Sequence, residues 1–239
     1  MVGKGFVFYT LFCIVMQLNF LPSLAATFSD KFNDGNLDGW AIFKVDAGGL
    51  MNAYVDEKTD PENPAADIRA FNDSEIWMAL NTNVGRVSSW DLDNLTLTAR
   101  IRLMAQGGVT PRFYMFVRAL KQKNDTVGGG PSMAIYIRED SVRVYDSADQ
   151  QATEIGGGKL LQREWHNIKA VAEGIHFQFY FDKNLVGELD DKAAPEMGTI
   201  AFYVSCSRFQ IDDFVLTGAF SVQPSGRLSV TWGNLKYQH

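Results

Sequence analysis

"WHNIKAVAEGIHFQFYFDKNLVGEL", residues 165–189, decides the fold. Its apolar residues recur every second position, and its turn residues cluster at Glu173–Gly174 and Asp182–Asn184. A period of two is the signature of strands that bury one face. His166 falls on the side of Ile168 and Ala170, as a packed histidine would, whereas His176 falls with Gln178 and Tyr180. The same period runs outward in both directions. "LTLTARIRLM" (95–104), "RFYMFVRAL" (112–120), "MAIYIRED" (133–140) and "SVRVYDS" (141–147) precede it, the last two as a hairpin across Glu139–Asp140. "GTIAFYVSC" (198–206) and "RFQIDDFVLTG" (208–218) follow as two further strands. β-Branched and aromatic residues fill these runs, and no amphipathic helical window interrupts them. Many short antiparallel strands predict an all-β fold, an antiparallel two-sheet sandwich or jelly roll.

The N-terminus carries a different signal. Lys4, an apolar run from Phe6 to Phe20, Pro22 and the small residues Ser23–Ala26 have the layout of a signal peptide over residues 1–25. The run is short for a membrane span. Its removal would take away Lys4 and Cys13, moving the formal charge from −6 to −7 and leaving Cys206 alone. No intramolecular disulfide is then available, so stability rests on a core that about 200 residues can supply. The acidic balance argues against nucleic acid as a partner. The expectation is a secreted or periplasmic protein with one domain over residues 26–218. Residues 219–239 form a tail that adds at most one strand, through Leu228 to Trp232. Sequons at Asn72, Asn94 and Asn124 matter only in a eukaryotic secretory route.

"FSDKFNDGNLDGW" (28–40) opens the domain. Asp34, Asn36, Asp38 and Gly39 match the start of a calcium loop, but Val45 stands where the bidentate Glu belongs. An Asx-rich turn is the expected reading. The triplets Gly128–Gly130 and Gly156–Gly158 read as flexible loop tips. Lys159 follows the second, yet Leu160 replaces the Ser or Thr that a phosphate loop requires.

Three stretches together carry a resemblance. "FSDKFNDGNLDGW" resembles the first strand and turn of secreted concanavalin A-like (laminin-G-like) jelly rolls. The hairpin at 165–189 is similar to theirs, with Asp182–Lys183–Asn184 in place of a glycine turn. "GTIAFYVSCSRFQIDDFVLTG" is similar to their last strand pair, with Ala201 in place of a second glycine. The matches bracket residues 28–218. The superfamily includes sugar-binding modules, glycoside hydrolases, polysaccharide lyases, adhesion domains and bacterial 3-keto-disaccharide hydrolase-like domains. The resemblance implies a fold and leaves the function open. It also implies a structural calcium between first and last strands, with Asp30 and Asp212 or Asp213 as carboxylate donors.

Alternation gathers one set of polar residues. Arg100 and Arg102 oppose Leu97, Ala99 and Ile101. Arg112, Tyr114, Phe116 and Arg118 oppose Phe113, Met115, Val117 and Ala119. Tyr136 and Arg138 oppose Ile135 and Ile137, and Arg143 and Tyr145 oppose Val142 and Val144. If these share one wall, aromatic rings can stack on sugars while arginine forks hold hydroxyls, carboxylates or sulfates. Trp90, in "VSSWDLDN", is a candidate sugar platform, and Trp77, Trp165 and Trp232 read as packing residues. Signs of catalysis are sparse. The E-x-D-x-x-E pattern of jelly-roll glucanases fails at Ala193 after Glu188 and Asp190. A lyase reading would use His176 or Tyr180 as base. Cys206 reads as a buried thiol. The expected function is an exported carbohydrate-binding or adhesion module without catalysis, the alternative a glycan-cleaving hydrolase or lyase in the same groove.

Overall fold

A computed structural model describes residues 25–45, 50–80, 90–91, 94–121, 127–156, 160 and 162–219. The proposed leader, Trp232 and the tail beyond Ala219 lie outside the described residues. The chain runs β1(Ala25–Asp30), β2(Trp40–Val45), β3(Met51–Asp56), β4(Ala65–Leu80), β5(Trp90–Asp91), β6(Asn94–Gln106), β7(Arg112–Lys121), β8(Val127–Gly128), β9(Ser132–Tyr136), β10(Ser141–Tyr145), β11(Gln151–Gly156), β12(Trp165–Glu173), β13(His176–Phe181), β14(Asn184–Asp190) and β15(Met197–Ala219). All pairings are antiparallel. Among the described residues no helix is long and apolar enough to cross a membrane.

Two layers emerge from one hydrogen-bonded network. The first is ordered β2, β4, β15, β7, β9, β10, β11, and the second β3, β4, β15, β6, β12, β13, β14. The strands β4 and β15 belong to both. The two predicted terminal strands are thus a single strand of 23 residues that bends at Cys206. There the register jumps: Ser205 faces Glu75, and Ser207 already faces Ala70. Cys206 (φ 49°) and Asn72 (φ 57°) take left-handed backbone at the bend, the local cost of letting two strands serve both layers. Cys206 itself is 1% exposed, buried as its apolar context suggests.

The core between the layers is built from alternate residues of every long strand. Phe113 lies 4.9 Å from Phe209, ring to ring, across the layers, and Phe202 lies 6.0 Å from Phe214. Trp40 packs edge-on to Phe214 at 4.9 Å. Its indole N–H donates to Asp30 Oδ2 at 2.9 Å, while Phe32 N donates to Asp30 Oδ1 at 2.8 Å. A buried indole N–H needs such a partner. The opening "DGNLDG" is an Asx turn: Asp38 N donates to Asn36 Oδ1 at 2.8 Å, and Gly39 takes φ 91°. His166 is buried as expected, stacked on Phe181 at 5.1 Å with Nδ1 2.6 Å from Asp182 Oδ2.

One predicted strand breaks alternation. Thr199 pairs with Ala119 and Ala201 with Phe116, so Val117 and Arg118 together oppose Ile200. This bulge, with Arg118 at φ 53°, turns Arg118 inward and Ala119 outward. Arg118 is 3% exposed, and its guanidinium carbon lies 4.9 Å from the centroid of Phe177 in the opposite layer. Two glycines make room. A Cβ on Gly198 would sit 2.4 Å from the Arg118 carbonyl, and one on Gly130 would sit 2.0 Å from Val117 O. Gly130 is therefore a packed residue, not a loose tip.

Candidate functional site

Cross-strand register assembles the site. On the outer face of the first layer, Phe43 pairs with Trp77, Trp77 with Tyr203, and Tyr203 with Tyr114. Beside this row of rings runs a second row, in which Glu75 pairs with Ser205, Ser205 with Arg112, and Arg112 with Tyr136. Each row follows from plain alternation in its strand: Glu75, Trp77 and Ala79 on β4; Ala201, Tyr203 and Ser205 on β15; Arg112, Tyr114 and Phe116 on β7. Small residues among the rings, Ala79, Ala134 and Ala201, let them lie against one another. Trp77 and Tyr203 approach to 4.7 Å, Tyr114 meets Tyr203 edge-on at 5.4 Å, and Tyr114 stacks on Phe116 at 5.5 Å.

These residues line a groove of about 350 Å³. Trp77, Tyr114, Phe116 and Tyr203 supply its apolar surface, and Glu75, Arg112 and Ser132 its polar groups. Gly128–Gly130 and the turn holding Asp146 and Asp149 form its rim. Tyr203 donates to Glu75 Oε1 at 2.7 Å, and Arg112 Nη2 stands 3.9 Å from the same oxygen. Arg112 Nε is buried and makes no hydrogen bond to the described residues. The hydroxyls of Tyr114 and Tyr136 are 2.6 Å apart, and those of Tyr136 and Tyr145 3.0 Å.

Burial, with the hydrogen bond to Tyr136, pushes the Tyr145 phenol up to about 12. Burial raises Tyr114 and Tyr203 further, helped by their bonds to Tyr136 and Glu75. All three are neutral hydroxyls near pH 7. In the unfolded chain they titrate near pH 10. Above that pH the folded state holds protons that the unfolded state has lost, so stability falls as pH rises. A constant Tm up to about pH 9, then a decline from about pH 10 through 12, is the expected result of a thermal series. A Tm flat through that window would mean the phenols are not sequestered.

The predicted arginine wall divides. Arg112 lines the groove, with Tyr114 in its wall and Tyr136 and Tyr145 bonded behind. Arg143 shares this face but is paired with Glu139 and with Glu154, the latter at 3.2 Å, and covers the Tyr136 ring at 4.2 Å. Arg138 is exposed on a turn and donates to Gly108 O. Arg118 serves the core instead of the sheet face, because of the bulge. Arg100 and Arg102 lie on the outer face of the other layer. Arg100 is held by Asp212 at 2.6 Å and Asp213 at 2.8 Å, and Arg102 by Gln210 at 3.0 Å. Both guanidinium groups cover Trp165, at 4.9 and 4.3 Å. The lyase-base candidates His176 and Tyr180 also lie on that layer, bonded to Asp190 at 2.8 Å and Gln178 at 3.0 Å. Trp90 opens β5 opposite Gly198, and its side chain lies outside the described part.

Two of the three carboxylates named for calcium, Asp30 and Asp212, are spent on protein donors. Both Asp30 oxygens accept N–H groups, as above. Asp212 Oδ2 accepts from Arg100 and from Asn63 at 2.8 Å, and its Oδ1 accepts from Asp213 N at 2.6 Å. Calcium needs six to eight oxygens, so Asp30 and Asp212 as placed do not fit a calcium site, while Asp213 is 40% exposed and meets Arg100 through Oδ2. Among the described residues no group of three or more His, Cys, Asp or Glu gathers as a metal site would.

No protein-family profile matches the chain, and no curated protein is similar to it in sequence. Solved structures do resemble it. The carbohydrate-binding module CBM66 of Bacillus subtilis superposes with a TM-score of 0.50 at 17% identity, covering 75% of this chain and 95% of that one. The carbohydrate recognition domain of Emp47p gives 0.54 at 12% identity, over 81% and 95%. The alginate lyase of a Corynebacterium sp. gives 0.55 at 11% identity, over 80% and 99%. The fold is a two-layered antiparallel jelly roll, as in these structures. At such identities the likeness shows the fold alone, and binding modules and an enzyme both appear among these jelly rolls. Fold alone assigns no role to the groove residues. Trp77, Tyr203 and Glu75 are the members that reading for arginine-rich strands missed. The signal was present in "EIWMAL" and "GTIAFYVSC", where the residues alternating with the core are Glu, Trp, Ala and Ala, Tyr, Ser.

Proposed function

We propose that this chain is a carbohydrate-binding module, exported from the cell, that holds a glycan in the aromatic groove without cleaving it. The observation that carries the reading is the ring row Trp77, Tyr203 and Tyr114 beside the Glu75–Arg112 pair. Rings present apolar surface to sugar C–H faces, and a carboxylate next to a guanidinium serves hydroxyls as acceptor and donor. The groove's size falls in the range of roughly 300–1,000 Å³ typical of small-ligand sites. Two features favour binding over chemistry. The groove phenols have raised pKa values, so they hydrogen-bond as neutral groups and are poor bases. The histidine and tyrosine suited to a lyase sit on the other layer.

The test is incubation of the purified protein with a panel of soluble polysaccharides, following retention and products in parallel. Retention on at least one glycan with no new reducing ends and no absorbance from unsaturated uronates is the expected result. Products from any of them would transfer the groove to the hydrolase or lyase alternative.

A further inference from the structure

The charges around the groove are unequal. Its lining holds one guanidinium, Arg112, and three carboxylates, Glu75, Asp146 and Asp149. Elsewhere on the face Arg143 is matched by Glu139 and Glu154. The chain as a whole is at −6. Glu75 is fixed by the Tyr203 hydroxyl at 2.7 Å and stands 3.9 Å from Arg112 Nη2, close enough to neutralise it and too far to close a hydrogen bond.

We infer that Glu75 determines specificity, admitting uncharged glycan chains and turning away polyuronates and sulfated glycans. The inference rests on the glycan-binding reading above. An arginine fork without a partner would take a sugar carboxylate bidentately. Here such a carboxylate must also approach Glu75, in a partly buried site where like charges repel more strongly than in water. A pair of neighbouring hydroxyls meets no such cost. One donates to Glu75, and the other accepts from the Arg112 guanidinium, whose side chain is 31% exposed. The open spacing between the two side chains suits a vicinal diol.

Calorimetric titration of the wild type with a neutral glucan, a mannan, alginate and a sulfated glycan tests this, followed by Glu75→Gln. Glutamine keeps an acceptor for Tyr203 and removes the charge. The wild type should bind a neutral chain with an affinity that salt leaves unchanged, and the polyanions about tenfold more weakly or worse. Glu75→Gln should gain about tenfold for alginate, in a manner that salt abolishes. A wild type that prefers either polyanion overturns the inference whether or not the variant folds. So does a folded variant with an unchanged alginate-to-neutral ratio. Binding without charge preference sinks this inference alone, whereas no binding of any glycan sinks the glycan reading with it.

Discussion

Replacing Trp77 with alanine is expected to weaken glycan binding about thirtyfold, roughly 2 kcal/mol, the scale of an aromatic hot spot. Trp77 is the ring at the head of the groove, and it holds Tyr203 at 4.7 Å. Truncation removes a wall and frees Tyr203 to tilt, which disturbs the hydroxyl that fixes Glu75. The indole is only 8% exposed, so the variant will also lose stability. Trp77→Phe separates the two effects. It keeps a ring against Tyr203 and should restore most of the affinity. Titration of both variants against the best glycan of the panel decides the matter. Equal affinity for the wild type and a folded alanine variant would remove the ring row from the site.

Gly198→Ala should lower stability by roughly 3 kcal/mol, or about 10 °C in Tm for a chain of this size. The new Cβ would fall 2.4 Å from the carbonyl carbon and oxygen of Arg118 and 2.7 Å from its Cα. These are backbone atoms in a hydrogen-bonded strand and cannot step aside as a side chain would. Relief must come from undoing the bulge, which would pull Arg118 off Phe177 and slide Ala119 back toward the core. Gly130→Ala, on the other flank of the bulge, should act in the same direction. A Tm unchanged by both would show that the bulge yields easily.

The fold was legible because alternation is a local property that each strand reports for itself. Hairpins at Glu139–Asp140 and Asp182–Asn184 and the packed His166 follow from it directly. The short strands β2 and β3 were not read, since "WAIFKV" and "MNAYVD" are too brief to display a period beside their polar neighbours. The arginine wall failed for two physical reasons. Period two says which face of its own strand a residue occupies, but not which layer the strand joins, so Arg100 and Arg112 look alike in sequence and lie on opposite sides of the molecule. One extra residue at Val117–Arg118 also reverses every position after it, and only Gly130 and Gly198 hint at the bulge. The groove itself follows from register between β4, β15 and β7, residues more than 100 positions apart in part, which no local pattern encodes.

The shared strand β15 has a consequence for how the molecule is made. It is the partner of β1, β4, β5, β6 and β7, and it is the last strand of the described chain. A ribosome delivers the other fourteen strands first, so β6 and β7 wait with unpaired edges until residues 197–219 emerge. Assembly cannot proceed piecemeal from the N-terminus and must close late, through contacts distant in sequence, which makes it slow. Chains interrupted ahead of Met197 would lack the seam between both layers and present open edges to one another, a direct route to aggregation.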